Sequence, residues 1–192
     1  MISHEKKFAF IHVPKTAGVS ILTCLEQYRD EEKFKVGHNT QKIYLEFLNT
    51  KSYTQFSVVR NPWDRLVSAF FYLKRGGVNM LDKQAARQLS LKNISFLNFL
   101  KKLNPLNTYD HFKTQLSWFD EEISSVNFLK FETIQKDFNL ICKKIQITPK
   151  VLPYKNKTKH KHYTEYYNDE TREIVAQKYA KDIEYFDYKF GE

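Results

Sequence analysis

Short apolar runs alternate along this chain with longer stretches that are apolar on one side only. Phe8–Val13 (FAFIHV) is dense in aromatic and β-branched residues and is closed by Pro14, which predicts a buried strand. From about Ala17 to Tyr28 the apolar positions Ile21, Leu22, Leu25 and Tyr28 return at helical spacing. Phe34–Val36 reads as a second short strand, and Gln41–Leu48 as a helix with Ile43, Phe47 and Leu48 on related faces. Phe56–Val59 is a third strand. Asn61-Pro62 then opens a helix, because Asn is a favoured N-cap and Pro suits the first helical position. Trp63, Leu66, Val67, Phe70 and Leu73 form its buried stripe, and Gly76-Gly77 stops it.

Residues 76–95 are polar and without clear period, and read as a mobile insertion or an acceptor-side loop. Beyond them Phe96–Leu103 and Phe112–Phe119 are expected to be helical and Val126–Phe131 to be a fourth strand. Helices at about Thr133–Ile145 and Asp169–Tyr179 flank a basic loop, Lys155–His162 (KNKTKHKH). Strands alternating with helices imply an α/β fold, with a mostly parallel central sheet flanked by helices, and 192 residues fit a single domain, 1–192.

Composition narrows the partners. Sixteen Phe and twelve Tyr stand against five Gly, and core filling is the default use of such aromatics. The formal net charge of +9 favours an anionic partner: a nucleotide, a nucleic acid, an acidic polysaccharide or a membrane surface. Cys24 and Cys142 each sit in an apolar helical pattern and are expected as two buried thiols. No His or Cys set has metal-ligand spacing, so no metal is expected. No apolar run reaches the ~18 residues of a membrane span, and the N-terminus lacks a secretory pattern, so the expected setting is cytoplasmic.

Two segments carry candidate chemistry. In Phe10–Ser20 (FIHVPKTAGVS) a strand runs through a tight turn into a helix, which aims backbone N–H groups and a helix N-terminus at one point. Lys15 adds a positive charge, and Thr16 and Ser20 add hydroxyls. The pattern is not a Walker A loop, since Lys15 precedes Gly18. An ordinary strand-to-helix turn with a surface lysine would look the same. In Ser57–Phe70 (SVVRNPWDRLVSAF) Arg60 stands at the carboxyl end of a strand, where open α/β sheets bind ligands, and a guanidinium suits a phosphate. Ser68 can join it if the helix packs alongside; equally, Arg60 could pair with a carboxylate and Ser68 simply pack.

Taken as an ordered pair, the segments resemble those of the sulfotransferases that use 3′-phosphoadenosine 5′-phosphosulfate (PAPS). PKTAGVS resembles their 5′-phosphosulfate loop and VVRNPWDRLVSAF their 3′-phosphate strand and helix, and the order resembles the heparan 2-O and chondroitin enzymes. The likeness extends to Gly37-His38, to Lys130-Phe131-Glu132 and to the Lys-rich loop. It implies a P-loop-NTPase-like sulfotransferase fold with PAPS as co-substrate. It assigns Lys15, Thr16, Ala17, Gly18, Val19 and Ser20 to the 5′-phosphosulfate, and Arg60 and Ser68 to the 3′-phosphate. Lys155–His162 would lie over the nucleotide, and the acceptor would be a carbohydrate. The Golgi relatives carry a membrane anchor that this sequence does not show.

Sulfuryl transfer needs a base for the acceptor hydroxyl. His38 matches a Gly-His segment whose His is the base in the heparan 2-O relatives, so the resemblance assigns His38 and Lys15 as the catalytic pair. His111 and Glu132 remain alternatives, while His12 reads as a packed strand histidine and His160 and His162 as part of the basic loop. Gln115 and Trp118 could meet a sugar, or fill core or surface. A nucleotide kinase would share the strand-loop-helix logic but should show a Walker A loop and a later Mg²⁺-binding Asp. A non-catalytic nucleotide- or polyanion-binding module fits the charge, whereas a nucleic-acid-binding module leaves Lys15 and Arg60 at separate strand ends unexplained. Oligomeric state and acceptor position are not encoded in any of these features.

Overall fold

A computed structural model describes residues 1–30, 40–48, 51–104, 109–120, 123–155 and 161–192, with backbone only for 46–48. The chain divides into two compact units. One comprises Met1–Arg60 and Gln115–Asn156, the other Asn61–Thr114 and Lys157–Glu192. The strands are β1 (Ile2–Ser3), β2 (Phe8–Ile11), β3 (Thr54–Val59) and β4 (Asn127–Lys130). The helices are α1 (Gly18–Leu25), α2 (Gln41–Leu48), α3 (Pro62–Lys74), α4 (Met80–Gln88), α5 (Phe96–Lys102), α6 (Ile134–Lys144), α7 (Asp169–Lys178) and α8 (Ala180–Phe186).

All four strands lie in the first unit, in the order β1-β2-β3-β4. β1 runs antiparallel to β2, while β2, β3 and β4 are mutually parallel, with Phe10 opposite Phe56 and Val58 opposite Leu129. Alternation along the strands sorts the side chains to two faces. Phe8, Phe10, Phe56 and Val58 pack with Ile21 and Leu25 of α1 and Phe138, Ile141 and Cys142 of α6. Ala9 and Ile11 face the other way, against Tyr44 of α2, Trp118 and Val126. A sheet covered on both faces must have strands without a polar side, and every residue of β2 is buried. Each large apolar side chain so buried contributes about 1.5–3 kcal/mol. Cys24 and Cys142 are buried free thiols within the α1–α6 layer, as expected.

In the second unit helices enclose a core that absorbs much of the aromatic surplus. The stripe predicted on α3 is buried throughout: Trp63, Leu66, Val67, Phe70 and Leu73 meet Phe99, Leu100, Phe112, Val175 and Tyr179. Phe70 lies 5.2 Å from Phe96 and 5.1 Å from Phe99 between ring centroids, and Phe99 lies 4.9 Å from Phe112. Asn61 caps α3 by accepting from Trp63 N (3.2 Å), and its amide donates to the Lys189 carbonyl at 2.8 Å. The helix stops where Gly76 N donates to Leu73 O and Gly77 N to Tyr72 O, both glycines at positive φ.

Four expectations are corrected. Residues 76–95 hold α4 instead of an unstructured loop. Its signal is Asn79-x-x-Asp82, a capping box in which Asn79 Oδ1 accepts from Asp82 N at 2.8 Å. The helix escapes a hydrophobic count because its pattern is inverted: Met80 and Leu81 are exposed while Asp82 is buried. Phe112–Phe119 is not a helix beyond a 3₁₀ turn at Leu116–Trp118, since Phe112 serves the core of one unit and Trp118 that of the other. The first strand stops at Ile11, leaving His12 beyond it, and the C-terminal helical region continues past Tyr179 as α8. Phe34–Val36 lies outside the described residues.

Candidate active site

The parallel register brings the carboxyl ends of β2, β3 and β4 to one edge of the first unit. Residues 12–18 leave β2 there, Arg60 follows β3, and Phe131-Glu132 follows β4. In the first of these turns Lys15 (φ 69°) and Ala17 (φ 66°) are both left-handed. That conformation costs a residue with a Cβ about 1–2 kcal/mol, and such strain concentrates at functional sites. A left-handed Ala17 leading into helical Gly18 turns successive N–H groups toward one concavity, a backbone arrangement that holds anions. The N–H groups of Gly18 and Val19 have no intrahelical acceptor, whereas Ser20 N donates to Ala17 O at 2.9 Å.

The turn is braced from inside. Thr16 is fully buried and its hydroxyl donates to Val13 O at 2.8 Å, so it fixes the turn, and its own backbone N–H remains the group it can offer an anion. Gly18 is required for a different reason. The His12 ring lies against it so closely that a Cβ there would stand 1.9 Å from Cδ2 and Nε2. His12 also stacks on Phe10 at 5.8 Å. Ser20 is buried in the first turn of α1.

Arg60 joins the two predicted motifs physically. Its Nη1 donates to Lys15 O at 3.1 Å, and its guanidinium carbon lies 3.9 Å from the centroid of the Phe131 ring. Its main chain is held by Gln115, whose Nε2 donates to Arg60 O and whose Oε1 accepts from Arg60 N, both at 2.9 Å. Glu132 is exposed on the 3₁₀ turn Phe131–Thr133. Beside it Asp137 accepts from Lys130 N (2.9 Å) and from the Thr133 hydroxyl (2.8 Å).

Ser68 is a buried residue of α3 in the second unit. His111 belongs to that unit too. It stacks on Tyr72 (5.2 Å), and its Nε2 is 3.8 Å from Asp82 Oδ1. The same carboxylate accepts from the Tyr72 hydroxyl at 2.6 Å and from Val78 N at 3.0 Å. Burial alone would raise the Asp82 pKa, but Tyr72, the Val78 and Asn79 N–H groups and His111 together hold it below its ordinary value. Tyr72 is pushed well above its own ordinary value by burial and by Asp82. His162 is exposed, with Nδ1 2.7 Å from the Thr164 hydroxyl. His38 and residues 156–160 of the basic loop lie outside the described residues.

Sequence reasoning named Gln115 only as a residue that could meet a sugar and Phe131 only within Lys130-Phe131-Glu132, and missed their contacts with Arg60, which no periodic pattern encodes. The left-handed Lys15 and Ala17 were equally silent. Among the described residues no helix is long and apolar enough to cross a membrane, and no three metal-ligating side chains cluster. Among curated proteins and among solved structures none matches the chain significantly. A model of the sulfotransferase family matches it over residues 1–189, a span that takes in the strained turn after β2, Arg60, the whole first unit and all but the last three residues of the second. The α/β sheet is accordingly a sulfotransferase fold, and the chain belongs to the sulfotransferase family.

Proposed function

We propose that this sulfotransferase moves a sulfuryl group from PAPS to a hydroxyl of a carbohydrate acceptor. The observation that carries the reading is the bond from Arg60 to the Lys15 carbonyl, which draws a second cation to the strained turn at the carboxyl ends of the parallel strands. Lys15, Thr16, Ala17, Gly18, Val19 and Ser20 hold the 5′-phosphosulfate, chiefly through backbone N–H groups and the Lys15 ammonium. Arg60 binds the 3′-phosphate, and the motif assigns Ser68 to the same phosphate on sequence grounds. The surplus of nine positive charges suits an acidic polysaccharide as acceptor. Free, buried thiols fit a reducing cytoplasmic setting.

In this reading His38 takes the proton of the acceptor hydroxyl as its oxygen bonds to sulfur. The bond from sulfur to the 5′-phosphate oxygen breaks, and its electron pair stays on the departing nucleotide. Lys15 and the loop N–H groups offset that charge, and loss of one such donor typically slows a reaction about 10²–10³-fold.

The test is a thermal-shift comparison of 3′-phosphoadenosine 5′-phosphate (PAP) with ATP. A ligand at 100 times its Kd stabilises by about 2.7 kcal/mol, so PAP should raise the melting temperature clearly and ATP much less. Equal or greater stabilisation by ATP would overturn the reading in favour of a kinase-like site.

A further inference from the structure

The fully buried Gln115 grips the main chain of one residue from both sides. It donates to the Arg60 carbonyl and accepts from the Arg60 N–H, each over 2.9 Å. The ladder of β3 with β4 ends at Val59 opposite Lys130, and that with β2 ends at Ser57 opposite Ile11. Arg60 therefore stands one residue past the last pair, where its buried N–H and C=O have lost their strand partner. A primary amide presents a donor and an acceptor side by side, as the N–H and C=O of a single residue in a paired strand do. Gln115 thus replaces a neighbouring strand for a single residue, and satisfies two backbone groups that would be costly to bury alone.

The effect reaches the side chain. The guanidinium of Arg60 is confined between the Lys15 carbonyl at 3.1 Å and the face of Phe131 at 3.9 Å. That pose depends on the direction in which the Arg60 Cα–Cβ bond leaves the main chain, which the Gln115 clamp sets. We infer that Gln115 is a positioning residue for Arg60 and so selects nucleotides carrying a 3′-phosphate, an inference that rests on the proposed PAPS reading. In this role Gln115 acts on the phosphate through Arg60.

The experiment is a double-mutant cycle read by calorimetry with PAP and 5′-AMP. Gln115→Met keeps the side-chain length and removes both hydrogen bonds. It should lower PAP affinity on the order of tenfold and leave 5′-AMP affinity within about twofold. In an Arg60→Ala background the backbone clamp persists but has no guanidinium to aim. Adding Gln115→Met there should change PAP affinity by less than about twofold. A further large loss in that background, or an equal loss for both nucleotides, overturns the inference. So does unchanged PAP affinity in Gln115→Met when the wild-type protein prefers PAP. Wild-type protein that binds PAP and 5′-AMP alike instead removes the underlying nucleotide reading. Gln115→Asn, which keeps the amide but shortens its reach, should reproduce the PAP-selective loss. If circular dichroism finds both variants unfolded, Gln115 holds the fold and the inference fails.

Discussion

The imidazole of His12 fills the space where a side chain on Gly18 would begin, with Cδ2 and Nε2 each 1.9 Å from the position of a Cβ. Gly18→Ala must therefore displace a ring that also stacks on Phe10. Overpacking of this kind costs about 1–3 kcal/mol, and the melting temperature should fall accordingly. His12→Ala together with Gly18→Ala should restore most of the loss, because Ala is otherwise the better helix former. A double variant as unstable as Gly18→Ala alone would show that the ring is not the obstacle.

Arg60→Ala should separate the two ends of the nucleotide. A hydrogen bond to a charged group contributes roughly 1.5–3 kcal/mol, so PAP binding should weaken tenfold or more while 5′-AMP binding changes little. Parallel titrations of both nucleotides check this. Equal losses would make Arg60 a brace for the turn through Lys15 O rather than a ligand for phosphate.

Asp82 gives the second unit a predictable response to acid. Its carboxyl is held below the ordinary value in the folded protein, so its contribution is fully present above the unfolded carboxylate value, about pH 3.9, and is lost as pH falls through the folded value. Asp82→Asn should lower the melting temperature at neutral pH and flatten its decline below about pH 4. Melting curves of both proteins between neutrality and pH 3 decide the matter; parallel curves would exclude Asp82 as the source.

The base is tested by three variants. His38→Ala should keep PAP affinity and lose turnover by about 10²–10⁴-fold. His111→Ala should instead lower thermal stability, because His111 packs on Tyr72 and faces Asp82, and leave turnover largely intact. Glu132→Gln should retain activity. Retained turnover in His38→Ala, with loss in either of the others, moves the base and leaves the family unchanged. Labelled PAPS with a panel of oligosaccharides supplies the assay.

The elements that bury a continuous apolar stripe were legible in the sequence. Trp63, Leu66, Val67, Phe70 and Leu73 announced α3, and Phe8–Val13 announced β2, though the strand ends two residues sooner, at Ile11. The α4 helix was hidden because a polar residue, Asp82, takes the inward position, and only its capping box betrays it. The sequence also placed the candidates Lys15 and Arg60 just past strands, where the fold has them. Their junction was not legible, because it depends on a backbone carbonyl, a side-chain amide 55 residues away and an aromatic ring. No local pattern encodes such contacts. Thr16 shows the same limit: its hydroxyl looks free for an anion in the sequence, yet in the fold it ties the turn to Val13.

The chain passes between its compact units after Arg60, after Thr114 and after Asn156, and this interleaving sets an order of events during synthesis. β2 and β3 leave the ribosome before residues 61–114 of the other unit, and β4 and α6 only after them. Residues 61–114 must therefore wait as an excursion while the sheet is completed, and then wait again for α7 and α8. A ribosome stalled near residue 114 would hold two half-built cores, each with exposed apolar surface. Neither unit can be excised as one continuous fragment, and each interior closes only once the chain has returned to it.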